Sequence, residues 1–108
     1  MTPQEAQEEA RVKLEEYRIL IDDVDRRIVA LLNERTAVVE NIGRVKREAQ
    51  LPVYEPKRED QVFANITSAN HGPLTTQAVR GIFERIIDAS RSIQRLRMMQ
   101  KPPEEPKC

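Results

Sequence analysis

The sequence predicts an all-α protein with three helices per chain, one of them very long, in an antiparallel homodimer. The first observation behind this is an apolar heptad repeat that fills the first half of the chain. The second is composition, because 33% of the residues are charged and only 4% are aromatic, which is typical of solvated helices. We find no alternating strand pattern and no internal repeat. The 108 residues suffice for one domain.

The predicted first helix runs from about residue 8 to 49, where Pro52 would end it, and would be about 60 Å long. Its a and d positions are apolar except for Arg35. They are Leu14, Tyr17, Ile21, Val24, Ile28, Leu31, Val38, Ile42 and Val45. Two shorter helices cannot cover so long a seam, so the pattern favours pairing with a second copy. Gly43 either permits the close approach of another element or is tolerated at a cost of about 1 kcal/mol.

Two shorter helices follow. Pro56 fits the first position of the second, with Glu55 at or near its cap and an end near Asn70. Thr75 or Thr76 can cap the third, which ends near Met99. The predicted inward residues are Val62, Phe63 and Ile66 on the second helix and Val79, Ile82, Phe83, Ile86, Ile87, Ser90, Ile93 and Gln94 on the third. We expect a flexible segment at 1–9, a helical domain at 10–99 and a disordered Pro-rich tail at 100–108.

Composition also narrows the classes of function. Lys plus Arg and Asp plus Glu both number 18, so the net charge is zero, which argues against a nucleic-acid binder. No apolar run approaches the ~20 residues of a membrane span, and the N-terminus lacks a signal-peptide pattern. We therefore expect no membrane partner and a cytoplasmic location. The single cysteine, Cys108, can form no internal disulfide and makes no metal site by itself.

Arg35 is the charged residue in the middle of the apolar seam. An unpaired charge there would be costly, so we expect it to meet an anion, either a ligand or a register-setting ion pair. Lys46 lies about 16 Å further along the same face and is either a second ligand contact or an exposed lysine. Arg18 lies about 25 Å before Arg35, too far to share a site within one helix. In an antiparallel dimer with full seam overlap, however, Arg18 faces position 41 of the partner, between Arg35 and Lys46.

Other polar residues also allow two interpretations. Ser90 and Gln94 are one turn apart on the third helix and either line a polar pocket or are satisfied core residues. Arg58 and Glu59, in the first turn of the second helix, either join this pocket or form a solvated helix start. Taken together, three cations and several hydrogen-bonding groups predict a site for a small ligand with two carboxylates and further oxygens.

Several motifs then point to a known family. They are an arginine early in the first helix, LLNER, GRVK, an acidic residue before PxRE, and SxxxQ on the third helix. With these motifs, residues 10 to 98 resemble the all-helical (AroQ-type) chorismate mutases. The resemblance implies an intertwined antiparallel homodimer with two sites. It also implies conversion of chorismate to prephenate, a Claisen rearrangement on the route to phenylalanine and tyrosine. This unimolecular reaction requires no cofactor, metal or nucleophile.

The resemblance also implies a role for each site residue. Arg18 would come from the partner subunit and, with Arg35, hold the two substrate carboxylates. Lys46 and Gln94 would hydrogen-bond the ether oxygen of the breaking bond. Glu59 would hold the ring hydroxyl beside Glu55, a position where relatives often have Asp, and Arg58 and Ser90 would complete the polar lining.

Three alternatives remain open at this stage. An isochorismate–pyruvate lyase could share the scaffold, although the acidic residues at 55 and 59 with Ser90 favour the mutase. The chain could instead be a non-catalytic dimerisation module that senses prephenate or chorismate, or a plain antiparallel coiled coil. A mutase of this size could also have a partner enzyme from the same pathway that activates it.

Overall fold

The computed structural model describes residues 1–99, which form three α-helices. They are α1 (Pro3–Glu48), α2 (Pro56–Ala69) and α3 (Thr76–Met99), and no strand occurs among the described residues. The prediction of an all-α chain with one very long helix is therefore confirmed. The predicted tail and Cys108 lie outside the described residues. The chain divides into two units, residues 1–35 and the residues from 36 onward.

The start of α1 differs from the prediction by five residues, because the helix begins at Pro3 and not near residue 8. The hydroxyl oxygen of Thr2 accepts a hydrogen bond from the backbone N–H of Glu5 at 3.2 Å, which is a side-chain cap. Pro3 suits the first helical position, and Glu5 lies in the first turn. Apolar periodicity could not reveal this start, since the first two turns are polar.

Within the first unit, the apolar seam of α1 is exposed in the single chain. Its members from Leu14 to Leu31 are between 42% and 64% exposed; they are Leu14, Tyr17, Ile21, Val24, Ile28 and Leu31. An apolar row of this length on the surface of a helix is typical of an interaction site. No helix among the described residues has both the length and the apolar composition needed to cross a membrane.

In the second unit, α1 ends in a Schellman motif. Gln50 adopts a left-handed backbone with φ of 56°. Its N–H donates to the carbonyl of Arg47 at 3.2 Å, and the N–H of Leu51 donates to the carbonyl of Lys46 at 2.7 Å. The helix therefore ends by a local cap, and Pro52 follows it. The cap reverses the chain over the last turn of α1 and directs the connector to α2.

Helix α3 supplies most of the buried side chains of the second unit, namely Val79, Ile87, Ser90 and Gln94. Helix α2 packs against α3 with Val62, Phe63 and Ile66 half-buried, as expected for the inward face. Thr75 caps α3, because its hydroxyl oxygen accepts the N–H of Ala78 at 3.1 Å. Of the two predicted caps, Thr75 and Thr76, Thr75 is therefore the correct one.

Gly43 lies where α1 and α3 approach each other closely. A Cβ added at this position would be 3.3 Å from the Cβ of Arg97 and 3.4 Å from the Cα of Gln94, which is tight packing against a helix backbone. Of the two interpretations of Gly43, close approach is therefore correct. The absence of a side chain here brings Gln94 near the last turns of α1.

Candidate active site

The candidate site is centred on Lys46, a lysine that is only 8% exposed. Its ammonium donates to the side-chain oxygen of Gln94 at 2.9 Å and to the carbonyl oxygen of Val53 at 3.2 Å. It also pairs with the carboxylate of Glu55 at 2.8 Å. These three acceptors match the three N–H donors of an ammonium. The interpretation of Lys46 as an exposed lysine is therefore wrong, because it lies on the face of α1 that packs against α3.

The connector reaches Lys46 because of how α1 ends. After the Schellman motif the chain turns back, so that Val53 and Glu55 lie over the last turn of the helix that they follow. Glu55 is the N-cap residue of α2, as expected, but its side chain makes no capping hydrogen bond. Its carboxylate binds Lys46 instead. Since Glu55 is about half exposed, at 47%, its carboxylate can also turn to water.

Gln94 is oriented by Lys46. The amide side chain is buried, at 9% exposure, and its oxygen accepts the hydrogen bond from the ammonium. Its NH₂ group is consequently the end that would donate to a ligand. The site thus presents an ammonium and an amide donor side by side, the pair that the resemblance assigns to the ether oxygen.

Ser90 lies one turn before Gln94 on α3 and is buried as well. Its hydroxyl donates to the carbonyl of Ile86 at 2.8 Å, so the hydroxyl hydrogen is used within its own helix. In this conformation Ser90 would meet a ligand as a hydrogen-bond acceptor.

Glu59 is held by Arg91, a residue of α3 that the sequence analysis did not single out. The Nε of Arg91 donates to one carboxylate oxygen at 2.8 Å, and its Nη2 donates to the other, so that the pair is bidentate. The hydrogen bond from Arg91 lowers the pKa of Glu59; the charges of Arg91 and Lys46 act in the same direction, and burial opposes them. Glu59 also raises the pKa of Arg91. A sequence signal did exist, because an arginine at 91 lies four residues after Ile87 and three before Gln94, on the buried stripe.

The sequence also predicts Arg58, Arg18 and Arg35 as site residues. Arg58 is exposed, and its guanidinium donates to the side chain of Gln61 within α2 at 3.4 Å. Arg18 and Arg35 belong to the first unit. There, Arg18 is exposed and lies 4.0 Å from Glu15, whereas Arg35 is half-buried. The structure thus brings Glu55 and Gln94 each into direct contact with Lys46.

Comparison with known proteins agrees with these motifs. A family model described as chorismate mutase type II matches residues 17–95. The chain belongs to the chorismate mutase type II family. Among curated proteins, this family member is similar to the bifunctional chorismate mutase/prephenate dehydratase of Aquifex aeolicus, with 36% identity over 87 residues, 77% of this chain and 24% of that protein. It is also similar to the chorismate mutase of Methanocaldococcus jannaschii, with 26% identity, covering 77% of this chain and 85% of that protein.

Solved structures of the family are similar as well. Form II of chorismate mutase from Thermus thermophilus has a TM-score of 0.75 and 37% identity over 77% of this chain and 94% of that chain. Form I has a TM-score of 0.69 and 40% identity, covering 72% and 98%. The chain spans about a quarter of the length of the bifunctional relative from Aquifex aeolicus, at 24%. The family that the motifs indicated is confirmed.

Proposed function

We propose that this chain catalyses the rearrangement of chorismate to prephenate. The observation that carries the proposal is the contact between the buried ammonium of Lys46 and the amide of Gln94. Similarity to proteins named chorismate mutase supports the same reaction. In this reaction a C–O bond breaks and a C–C bond forms within one molecule, so the protein need supply no nucleophile.

Charge on the ether oxygen explains the use of these two side chains. As the C–O bond lengthens, negative charge grows on that oxygen, and donors aimed at it bind the transition state more strongly than the substrate. Lys46 and Gln94 would both donate to it. Because three acceptors already surround Lys46, the ether oxygen would replace one of them. Glu55 is the acceptor that can leave most easily, since it is half exposed and can be solvated.

We propose that Arg35 and the Arg18 of a second copy bind the two carboxylates of the substrate. The exposed apolar seam of the first unit supports pairing with a second copy. In the antiparallel register expected from the sequence, each site would use residues of both chains. Holding both carboxylates would select the folded conformer that can react. The polar lining of the site would be completed by Glu55, Glu59, Arg58 and Ser90. We further propose that the protein is cytoplasmic. An activating partner enzyme from the same pathway remains a prediction.

The test is conversion of chorismate by the purified chain, with prephenate identified by mass spectrometry. Isochorismate is assayed in parallel, with release of pyruvate as the readout of lyase activity. We expect prephenate from chorismate and no pyruvate from isochorismate. Pyruvate release alone would assign the lyase instead, and binding of chorismate or prephenate without turnover would indicate a sensing module.

Arg18→Ala tests the contribution of the second copy. We expect it to lose activity, whereas Arg27→Ala, which alters an equally exposed arginine paired with Asp23, keeps it.

The inactive Arg18→Ala and Lys46→Ala chains are then mixed. If each site takes Arg18 from one chain and Lys46 from the other, mixed dimers contain one intact site, and about one quarter of the activity returns. No recovery on mixing would place both residues in the site from the same chain.

A further inference from the structure

We propose that Arg91 is a positioning residue that holds the carboxylate of Glu59 across the α2–α3 interface. Glu59 would then present a fixed hydrogen-bond acceptor to the ring hydroxyl of the substrate. This inference rests on the proposed function. Arg91 itself would not touch the substrate. It would act through the orientation and the ionisation of Glu59.

The geometry of the pair supports a clamp. Two N–H groups of one guanidinium bind the two oxygens of one carboxylate, which fixes the carboxylate plane as well as its distance. A carboxylate offers about four lone-pair directions, so the bidentate contact leaves about two for another donor. Glu59 lies in the first turn of α2, and Arg91 contacts it from α3. Movement of one helix relative to the other would therefore break the ion pair.

Arg91 is itself held on two further sides. Its Nη1 donates to Asp88 at 3.1 Å, one turn earlier on α3. Its Cζ lies 5.6 Å from the ring centroid of Tyr54, in the connector, which is cation–π distance. The guanidinium therefore contacts the connector, α2 and α3 together. This is the same connector that carries Val53 and Glu55 to Lys46, so the clamp and the Lys46 group share one segment of chain.

The charges around Glu59 determine how it titrates. Arg91 from α3 and Lys46 from α1 both face it and favour its ionised form, while burial disfavours that form. The carboxylate of Asp88 pairs with the Nη1 of Arg91 and partly compensates its positive charge. Removing the guanidinium leaves burial opposed only by the charge of Lys46, so the pKa of Glu59 rises. A rise in that pKa moves the acid limb of kcat/KM to higher pH.

The test compares Arg91→Gln and Arg91→Lys with the control Arg80→Gln. Arg80 is matched to Arg91, because it is also an α3 arginine that contacts α2, with its Cζ 4.4 Å from the ring centroid of Phe63. Carbon-13 NMR follows the Glu59 carboxyl during pH titration, with the Glu59→Gln variant used for assignment. We expect the titration midpoint to rise in Arg91→Gln, to rise less in Arg91→Lys, and to stay unchanged in Arg80→Gln. The same midpoint in Arg91→Gln and in the unaltered chain would overturn the proposal.

Kinetics then separate positioning from a purely structural role. A hydrogen bond to the ring hydroxyl exists in substrate and transition state alike, so we expect Arg91→Gln to raise KM about tenfold with little change in kcat. In the Glu59→Gln background, Arg91→Gln should raise KM no further. A further tenfold rise there would mean that Arg91 does not act through Glu59. An unaltered chain that fails to convert chorismate would refute the proposed function, and the NMR titration would still decide whether Arg91 controls Glu59.

Discussion

Replacement of Lys46 by methionine tests the proposed chemistry most directly. Methionine keeps an unbranched side chain of similar length in the buried position; it removes the ammonium and has a thioether sulfur in place of one methylene. If the ammonium stabilises charge on the ether oxygen, kcat should fall by about 10²–10³, the loss typical of one well-placed donor to a developing oxyanion. This corresponds to roughly 3–4 kcal/mol of transition-state stabilisation.

The same change should cost less in folding stability than in transition-state stabilisation, which makes the two effects separable. Without Lys46, the buried oxygen of Gln94 and the carbonyl of the half-buried Val53 lose a donor, and the loss at Gln94 costs about 1–3 kcal/mol. Loss of the pair with the half-exposed Glu55 adds at most about 1 kcal/mol. Relief from burying an ammonium offsets part of this sum. We therefore expect the free energy of unfolding to fall by about 1–2 kcal/mol.

The assay measures kcat under saturating chorismate at a temperature well below the unfolding midpoint of every variant, with circular dichroism as the check on folding. Lys57→Met is the matched control, because Lys57 is an exposed lysine in the first turn of α2. Its kcat should equal that of the unaltered chain. A kcat for Lys46→Met within tenfold of the unaltered chain, a loss under about 1.4 kcal/mol, would refute the reasoning.

Three further predictions concern the support of the site. Gly43→Leu forces α3 away from α1, so it should destabilise the chain by about 1–3 kcal/mol in urea denaturation and lower kcat as Gln94 moves from Lys46. Gln50→Gly relieves a left-handed backbone, so it should raise the free energy of unfolding in urea by about 1 kcal/mol and leave kcat unchanged. The profile of kcat/KM against pH should be flat from pH 6 to 8, because Gln94 does not titrate and Arg91 keeps the pKa of Glu59 below its usual value. A steep loss of kcat/KM across that range would contradict this assignment.

The sequence predicted the helices well where local chemistry sets their bounds. Pro56 at the first helical position and the hydroxyl of Thr75 are signals that act within one turn, and both hold in the structure. The end of α1 was predicted to within one residue for a reason that is only partly correct. Pro52 follows the end of the helix, but the left-handed backbone of Gln50 is what ends it. This position is usually glycine, so a glutamine there gives no sequence signal.

The candidate site was predicted in part. The sequence predicts Lys46, Glu55 and Gln94 as site residues, and in the structure Glu55 and Gln94 both contact Lys46. Arg58 was named too, yet its described contact is with Gln61 on the surface of α2. Arg91 is not predicted, because the polar pattern of the third helix is set by Ser90 and Gln94, one turn apart, and an arginine between them is equally typical of a solvated position.

The sequence by itself determined the helical class, the apolar seam and the family, since each is recorded in local spacing or in short motifs. Only the tertiary structure decided whether Lys46 is buried or exposed, whether Gly43 permits close packing of α3, and which residue binds the carboxylate of Glu59. The physical reason is the same in each case. A heptad reports which face a residue lies on, whereas burial and pairing depend on the atoms that another helix brings to that face. Lys46 and Gln94 are 48 positions apart, and their hydrogen bond exists only because α3 packs closely over Gly43.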